Sequence, residues 1–567
     1  MTESSRLGDQ AKAAIAKGDI AEARTLLQQA LTQDDRNVRL LQLAAQTAEI
    51  GGKTEIAVQL LRTALQLEPE NRATIAALFR LCLAEQDLAT AEQLVEQDKA
   101  IDGADVPHLL LCSHLALTKG EETEAEHYLS GLLAHEPEHQ EGLAMQARLA
   151  MRRGRPEAAL FFTRARQGNK ENIALLRDHA RSLASQGDYD AALAILDEAI
   201  ANNICAPELI IDQIALLSEA GRDADNTAAL AAAEEQARDN GNLRMALADL
   251  IMQQDRPADA LALLADQKQP EDHPEIRLTE ARAAGMAGEL DHAERLFAAL
   301  QNDRYPIPPL TLVRHLIRRK RYNDAENLLQ KQLEHDSSDI SAWALIDCVW
   351  RVTGQHDKHK WLHNPESVTA NLDLGMSLDE IEAAANWLRG QHKAKAAPTG
   401  QSLRHGTQTG GSILAFDDDI TKLLRARISA AVNHYISQWP EQHSRHPLFQ
   451  WKDHQWRFCG SWSVRLTDGG HHKPHIHPEG HVSSASYWVL PIRERTEPFA
   501  GAFELGRPPD DLGIDLGPVR IIKPKCSHLV LFPSTFYHNT RPFSEGERVT
   551  LAFDVSFLNR NCFSSRL

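Results

Sequence analysis

The chain has 567 residues, of which 43% are hydrophobic, and a formal net charge of −18 at pH 7. Such an acidic chain repels nucleic-acid phosphates unless a local basic patch intervenes, and no apolar run approaches the roughly 18 residues of a membrane span. The N-terminus lacks the apolar core of a signal peptide, and the cysteines lack the CxxC spacing of a zinc ribbon. We therefore expect a cytoplasmic protein whose partners include neither nucleic acid nor a membrane.

Residues 1–365 repeat a single period. Turn-forming residues recur at intervals of 32 to 34 residues, and an alanine follows most of them by five positions. The apolar spacing between the turns predicts helical hairpins, with the alanine where paired helices approach closely. No single hairpin buries its apolar face, so about ten units should stack into a solenoid. The turn positions are Gly18, Gly52, Gln86, Gly120, Gly154, Gly187, Gly221, Asp255, Gly288, Lys320 and Gly354, and the alanines are Ala23, Ala57, Ala91, Ala125, Ala159, Ala192, Ala260, Ala293 and Ala325.

A helical solenoid offers a long surface to a partner. We expect this surface to bind a protein or peptide segment, with a role as a spacer or in self-association as the alternative.

Residues 366–450 are interpreted as capping helices and a connector. Ser377 and Glu380 have the spacing of a capping box, which predicts a helix over residues 377–388. Amphipathic spacing predicts a second helix over residues 418–437. Between them, residues 390–411 are small, polar and glycine-rich, which favours a linker.

The pattern changes to strand length in residues 451–567. Turn residues separate several short apolar or alternating runs, which predicts a sandwich or jelly roll. The chain is therefore expected to be an α + β multidomain protein in which an all-α solenoid precedes a β domain. The predicted strands cover residues 461–466, 486–492, 501–505, 519–522, 528–532 and 549–557.

Three histidines in the β domain have the spacing of a metal site. His475 and His477 flank one residue, so strand alternation sends both side chains to one face, and His538 follows 61 residues later on a strand that can run alongside. Three protein ligands leave positions open for a bidentate substrate and dioxygen. Glu479 remains an alternative ligand, because it forms a His-X-Glu pair with His477. Three neighbouring histidines are expected to be solvent-exposed loop residues: His471, His472 and His481.

An arginine is the second element of this predicted site. Arg548 follows His538 by ten residues and shares a strand face with Thr550. A guanidinium binds a carboxylate with two hydrogen bonds and Thr550 can add a third, so the pair predicts an anchor for 2-oxoglutarate. Tyr487 should point inward as a pocket residue. The layout is typical of a non-haem Fe(II) site with 2-oxoglutarate, although a cupin-like zinc or manganese site could use the same histidines.

The repeats resemble the tetratricopeptide repeat, and residues 400–560 resemble a 2OG-Fe(II) oxygenase family that is often fused to such repeats in bacteria. This resemblance implies a double-stranded β-helix, Fe(II), and 2-oxoglutarate that is decarboxylated to succinate while a C–H bond is hydroxylated. It rests on Ser461-Trp-Ser-Val, Gly469-Gly-His, His475-Ile-His-Pro, Ser483-Ser484, Tyr487, Leu531-Phe-Pro-Ser534, His538, Glu547-Arg-Val-Thr550 and the prelude at residues 401–408.

The chain departs from this family at two places. The commoner ligand pair is His-X-Asp or His-X-Glu, whereas His475 and His477 form His-X-His. The family usually has glycine before its Leu-Val-Leu-Phe-Pro strand, where this chain has Cys526-Ser-His528, so we expect a local change in the turn.

These observations predict an Fe(II)/2-oxoglutarate-dependent dioxygenase that hydroxylates a protein or peptide recruited by the repeats. The alternatives are a non-catalytic repeat scaffold with a metal-binding β domain, and a small-molecule oxygenase whose repeats serve assembly. The expected Fe(II) ligands are His475, His477 and His538, and the expected 2-oxoglutarate-binding residues are Arg548, Thr550 and Tyr487.

Overall fold

A computed structural model of the chain describes residues 2–85, 87–102, 105–202, 206–265, 273–441, 443, 445–491 and 498–557. Gln86, predicted at a repeat turn, and Ile492, predicted at a strand end, lie outside these ranges. The chain divides into two compact units between Leu149 and Ala150. Each unit is described separately below.

The first unit is built of helical hairpins. Its helices begin at polar caps: the side chains of Asp19, Asn37 and Asn71 each accept a hydrogen bond from the backbone N–H three residues later. Such a cap contributes about 1 kcal/mol, because it satisfies a helix N–H that otherwise has no partner. The helices are α1 (Glu3–Ala16), α2 (Ile20–Gln33), α3 (Val38–Ile50), α4 (Thr54–Leu67), α5 (Arg72–Ala84), α6 (Leu88–Asp102), α7 (Val106–Lys119) and α8 (Glu122–His135), followed by α9 (Gln140–Arg152), which spans the division.

The second unit continues the helical pairs and then adds a β-sheet. The repeat helices are α10 (Ala158–Arg166), α11 (Ile173–Ser185), α12 (Tyr189–Ala201), α13 (Pro207–Glu219), α14 (Asp223–Ala237), α15 (Gly241–Gln253), α16 (Pro257–Ala265), α17 (Pro274–Met286), α18 (Leu290–Asn302), α19 (Pro309–Arg318), α20 (Tyr322–His335), α21 (Ile340–Val352) and α22 (His356–His363). Three further helices follow: α23 (Pro365–Val368), α24 (Leu378–Gln391) and α25 (Asp419–Ser437).

The predicted turn residues lie between the two helices of each described pair. The described turn glycines all have positive φ, and Asp255 (φ 66°) and Lys320 (φ 58°) adopt the same left-handed conformation without glycine's freedom. Eight of the nine predicted alanines are fully buried, which confirms the close approach of the paired helices. Ala159 is the exception: α10 begins only at Ala158, after a turn at Pro156-Glu157, so Ala158 takes the buried position instead.

The β-region is one antiparallel sheet. Its strand order is β1-β7-β4-β9-β3-β8-β5-β6, and β2 pairs with β3. The strands within the described residues are β1 (Ala370–Asp373), β2 (Leu403–Gln408), β3 (Trp456–His475), β4 (Val482–Val489), β5 (Phe503–Leu505), β6 (Arg520–Ile522), β7 (His528–Pro533), β8 (His538–Thr540) and β9 (Arg548–Phe557).

The segment interpreted as a connector takes part in this sheet. The capping box of Ser377 and Glu380 is present at the start of α24, and α25 forms where the second helix was predicted. Two strands, β1 and β2, also lie in residues 366–450, and they pair with β7 and β3. The glycine-rich stretch therefore contains an ordered edge strand, where the sequence favoured a linker.

The connector also runs along the turns of successive repeats in the second unit. The backbone N–H of Lys395 donates to the carbonyl of Glu219 (2.7 Å), at the end of α13. Further along, Arg404 and Lys473 both form ion pairs with Asp255, the residue that replaces glycine at its turn. The left-handed turn of that repeat thus carries a carboxylate that binds β2 and β3.

The last helical pairs bind the loops of the sheet. Arg318 donates to the carbonyl of Asp511 (2.7 Å), and Arg351 donates to the carbonyls of Gly506 and Gly517, the latter at 2.6 Å. No helix among the described residues is both long and apolar enough to cross a membrane.

Candidate metal centre

The strand register brings two predicted ligands face to face. His475, the last residue of β3, is the direct partner of His538, the first residue of β8. His477 lies two residues beyond the end of β3, and its ring centroid is 5.1 Å from that of His475 and 4.9 Å from that of His538. The metal-binding atoms of the three side chains all lie within 4.8 Å of one another.

Each of the three imidazoles has an acceptor beside Nδ1. The carbonyl of Lys473 lies 2.7 Å from Nδ1 of His475, and the carbonyl of Phe536 lies 3.2 Å from Nδ1 of His538. For His477 the acceptor is the Asp554 carboxylate, at 2.9 Å. Acceptors at these positions favour the tautomer with its proton on Nδ1, which leaves the lone pair on Nε2 for a metal.

Burial keeps two of these imidazoles neutral. Burial, and then the neighbouring His477, lower the pKa of His475 to about 3. The pKa of His538 is lowered well below its ordinary value, first by burial and then by His475. A neutral imidazole is the form that binds a metal ion, so these shifts prepare the site for a cation at neutral pH.

Glu479, the alternative ligand, lies outside this group. Its side chain is exposed, and the cluster of metal-binding atoms contains only the three histidines. The polar residue that does contact His477 is Asp554, which also accepts a hydrogen bond from Ser483 (2.7 Å). Alternation along β9 places Asp554 on the same face as Arg548 and Thr550, and this signal in the sequence could have identified it.

The expectation that the three neighbouring histidines are exposed is wrong. His481 is only 2% exposed, because its ring packs against Trp451 and Phe557. His471 and His472 are partly buried in β3. The ring of His472 lies 5.4 Å from that of His475, and a bulge between these two residues turns both towards the same region.

Arg548 is a buried cation without a carboxylate partner in the described part of the chain. Arg548 is only 2% exposed, and one of its guanidinium nitrogens donates to the hydroxyl of Thr540 (2.6 Å). Among the described residues, neither Nε of Arg548 nor the hydroxyl of Tyr487 has a hydrogen-bond partner of acceptable geometry. An unpaired buried charge costs several kcal/mol, so the arrangement favours an anionic ligand.

The predicted anchor residues adjoin the histidines through β8. Thr540, which accepts from Arg548, is the register partner of His472. Tyr487 is fully buried and is the register partner of Thr550 across β4 and β9, as its predicted inward orientation requires. The hydroxyl of Thr550 donates weakly to the carbonyl of Val464 (3.4 Å).

Two families match separate parts of the chain. Residues 460–554 match the family described as "Putative 2OG-Fe(II) oxygenase", and residues 9–74, 113–172 and 177–209 match the tetratricopeptide repeat. The chain thus carries tetratricopeptide repeats and a domain of the oxygenase family, which confirms the resemblance seen in the sequence. All three histidines and Arg548 lie inside the oxygenase match.

Solved structures similar to the chain are repeat proteins. PilW, a type IV pilus biogenesis factor, is 19% identical, with 37% of this chain and 98% of that chain covered and a TM-score of 0.32. A thermophilic TPR protein of Thermus thermophilus is 20% identical, with coverages of 32% and 99% and a TM-score of 0.29. YrrB, a TPR protein with an unusual peptide-binding site, is 14% identical, with coverages of 32% and 92% and a TM-score of 0.23. No curated protein matches the chain.

Proposed function

We propose that the chain is an Fe(II)/2-oxoglutarate-dependent dioxygenase whose sheet forms a double-stranded β-helix. The observation that carries this proposal is the pairing of three clustered histidines with a buried, unpaired arginine on neighbouring strands. A metal-binding scaffold needs only the histidines. The arginine adds a place for the distal carboxylate of a dicarboxylic acid, which separates this site from a cupin-like zinc or manganese centre.

His475, His477 and His538 are the proposed Fe(II) ligands. Their Nδ1-bonded imidazoles leave Nε2 available to a common ion, and the Asp554 carboxylate orients His477. When bound, Fe(II) supplies the dioxygen chemistry that couples decarboxylation of 2-oxoglutarate to hydroxylation of a C–H bond. Glu479 is the competing ligand, and its exposed position favours the histidine set.

Arg548, Thr550 and Tyr487 are the proposed 2-oxoglutarate anchor. The orphaned Nε of Arg548 and the orphaned hydroxyl of Tyr487 can both donate to a carboxylate, which would also neutralise the buried guanidinium. Thr550 shares this strand face and can exchange its weak bond to Val464 for one to the ligand. These residues bind and orient the co-substrate, while buried hydrophobic neighbours such as Phe503 and Phe532 exclude water from His538.

The proposed substrate is a protein or peptide that the repeats recruit. Supporting this, Ile476, between the two strand-end histidines, packs against a cluster that contains Ala344 and Cys348 of α21. The helical array therefore adjoins the metal centre directly within the second unit. A helical repeat surface of this kind is suited to an extended segment, which could reach the centre from the repeats.

The proposal that the chain is an enzyme is tested by incubating the full chain with Fe(II) and 2-oxoglutarate. The measurement is the uncoupled conversion of 2-oxoglutarate to succinate. We expect turnover in the wild type and its loss in His538→Ala, while His528→Ala, at a histidine of the same sheet outside the cluster, retains it. An inactive wild type would instead favour the non-catalytic scaffold.

The ligand set is tested by parallel substitutions of its two candidates. His477→Ala should abolish turnover and weaken metal binding, whereas Glu479→Gln should leave both within about threefold of the wild type. The reverse pattern would assign the ligand position to Glu479.

The substrate class is tested by capture on the His538→Ala chain. Captured proteins are then treated with the wild type, Fe(II) and 2-oxoglutarate, and analysed by mass spectrometry for the gain of one oxygen atom. Oxygen gained by a captured protein supports recruitment. If no captured protein gains oxygen while a small-molecule extract stimulates succinate formation, the repeats serve another purpose.

A further inference from the structure

A second group of metal-ligand residues lies in the last helical pair. Asp347 is on α21, and His359 and His363 are four residues apart on α22, so the two imidazoles share one helix face. The metal-binding atoms of the three side chains lie within 4.8 Å of one another. None of these residues belongs to the oxygenase centre.

The group is mostly buried, and its one carboxylate contacts both histidines. The side chains of Asp347 and His363 are only 4% and 1% exposed, whereas that of His359 is 19% exposed. Asp347 has ion-pair contacts only with the two histidines in the described structure, and no lysine or arginine pairs with it.

One ring nitrogen of His363 has no suitable partner. Its Nε2 lies 2.8 Å from the hydroxyl of Thr535, which satisfies that side of the ring. Its Nδ1 lies 3.1 Å from Oδ2 of Asp347 but has no hydrogen-bond partner of acceptable geometry in the described part of the chain. With the proton on Nε2, two lone pairs face each other in a buried site, and this repulsion is relieved by a cation between them.

We propose that Asp347, His359 and His363 bind a divalent transition-metal ion of the Zn²⁺ class. Two imidazole nitrogens and one carboxylate oxygen suit Zn²⁺, whereas Ca²⁺ and Mg²⁺ prefer all-oxygen sites. Thr535 then serves as the outer hydrogen-bond partner of a ligating histidine, an arrangement common around zinc. The exposed side of His359 leaves a water molecule access to the fourth position of a tetrahedral ion.

The ion would fasten the last repeat to the oxygenase sheet. His363 stacks on Phe536, with ring centroids 3.8 Å apart and an interplanar angle of 16°. The carbonyl of Phe536 in turn lies beside Nδ1 of His538. An ion that joins α21 to α22 therefore holds the backbone that positions His538. This structural role goes beyond the proposed catalytic function and does not depend on it.

The site is tested by measuring how many Zn²⁺ ions the metal-stripped full chain binds. Competition with a chromophoric chelator gives this stoichiometry. We expect one ion per chain in His538→Ala, which lacks a ligand of the oxygenase centre, and none bound tightly when His359→Ala is added. His356→Ala, at an exposed histidine of the same helix, is the matched control and should leave that one ion in place.

Thermal unfolding of the same variants provides a second readout. Zn²⁺ should raise the Tm of the His538→Ala chain, and this increase should disappear with His359→Ala. Asp347→Asn is a less decisive variant because the carboxylate is buried, and it is compared only if its circular dichroism matches the wild type. Absence of tight Zn²⁺ binding in His538→Ala, or unchanged binding after His359→Ala, would overturn the proposal whether or not the chain turns over 2-oxoglutarate.

Discussion

The guanidinium carbon of Arg548 lies over the ring of Tyr487, 5.1 Å from its centroid. An aromatic face attracts a cation and partly offsets the cost of burying it. Within the described part of the chain, Nε of Arg548 and the Tyr487 hydroxyl have no hydrogen-bond partner, so the pair is in contact but incompletely satisfied. A carboxylate ligand would complete both groups at once.

Substitution of Arg548 should therefore weaken the binding of 2-oxoglutarate. We expect Arg548→Gln to raise the KM for 2-oxoglutarate at least tenfold, because a hydrogen bond to a charged group contributes about 1.5–3 kcal/mol. Tyr487→Phe retains the ring under the guanidinium but removes the hydroxyl, so its effect should be smaller. Succinate formation at varied 2-oxoglutarate concentration measures the KM of both variants.

The matched control for this prediction is Arg465→Gln. Arg465 lies on β3, is partly solvent-exposed and pairs with Glu547, so its loss should leave the KM unchanged. Equal effects of the Arg465 and Arg548 substitutions would show that the loss of a positive charge, and not of a specific anchor, changes the KM.

Asp554 should tune the affinity of the metal centre. Asp554→Asn replaces the acceptor of His477 Nδ1 by an amide that can present an N–H instead, which disfavours the ligating tautomer. Loss of such a partner typically weakens metal binding by roughly 10- to 100-fold. The affinity for Co²⁺ can be measured directly, with Asp468→Asn, at an exposed residue of β3, as the control. An unchanged affinity would mean that Asp554 serves the fold alone.

Ser527 should be strained at the turn before β7. Its φ is 61°, and its buried hydroxyl has no hydrogen-bond partner among the residues that the structure describes. A non-glycine residue in the left-handed conformation destabilises the fold by about 1–2 kcal/mol. Glycine removes this strain, but its greater freedom in the unfolded chain cancels part of the gain. Ser527→Gly should therefore stabilise the fold by about 1 kcal/mol in urea unfolding. Ser527→Ala removes the hydroxyl but keeps the strain, so a larger gain for alanine than for glycine would argue against this explanation.

His446 should make stability depend on pH. Its Nδ1 accepts hydrogen bonds from the N–H groups of Leu448 and Phe449, both at 3.2 Å, and burial lowers its pKa to about 4. The unfolded chain, with an ordinary histidine pKa near 6.5, binds the proton more readily, so stability falls as the pH decreases from about 6.5 towards 4.

Asparagine can test this behaviour, because its side-chain oxygen can accept the same backbone hydrogen bonds without titrating. Between pH 7 and pH 5 the wild type should lose up to roughly 2 kcal/mol more than His446→Asn, as measured by urea unfolding. Parallel pH profiles for the two proteins would exclude His446 as the titrating group.

The repeats were predictable from the sequence because each unit needs the same local features. A left-handed turn and a small residue at the helix crossing recur at a fixed period, and both can be recognised without tertiary information. The exception at Ala159 arose where Pro156 delayed the start of α10, a one-residue change that a period cannot resolve.

The clustering of three histidines was also predictable, since alternation along strands is a local rule. His475, His477 and His538 meet as their spacing indicated. The environment of His481 was not predictable, because the aromatic residues that bury it come from distant parts of the chain.

Local spacing was sufficient to predict the helical period, most strands after residue 451, and the cluster of three histidines. These properties depend on spacing along a helix or a strand. The folded chain was needed to show which described polar groups are buried without partners, that β2 joins the sheet, and that Asp347 meets His359 and His363. Such features require contacts between segments far apart in the chain, and they depend on how whole elements pack.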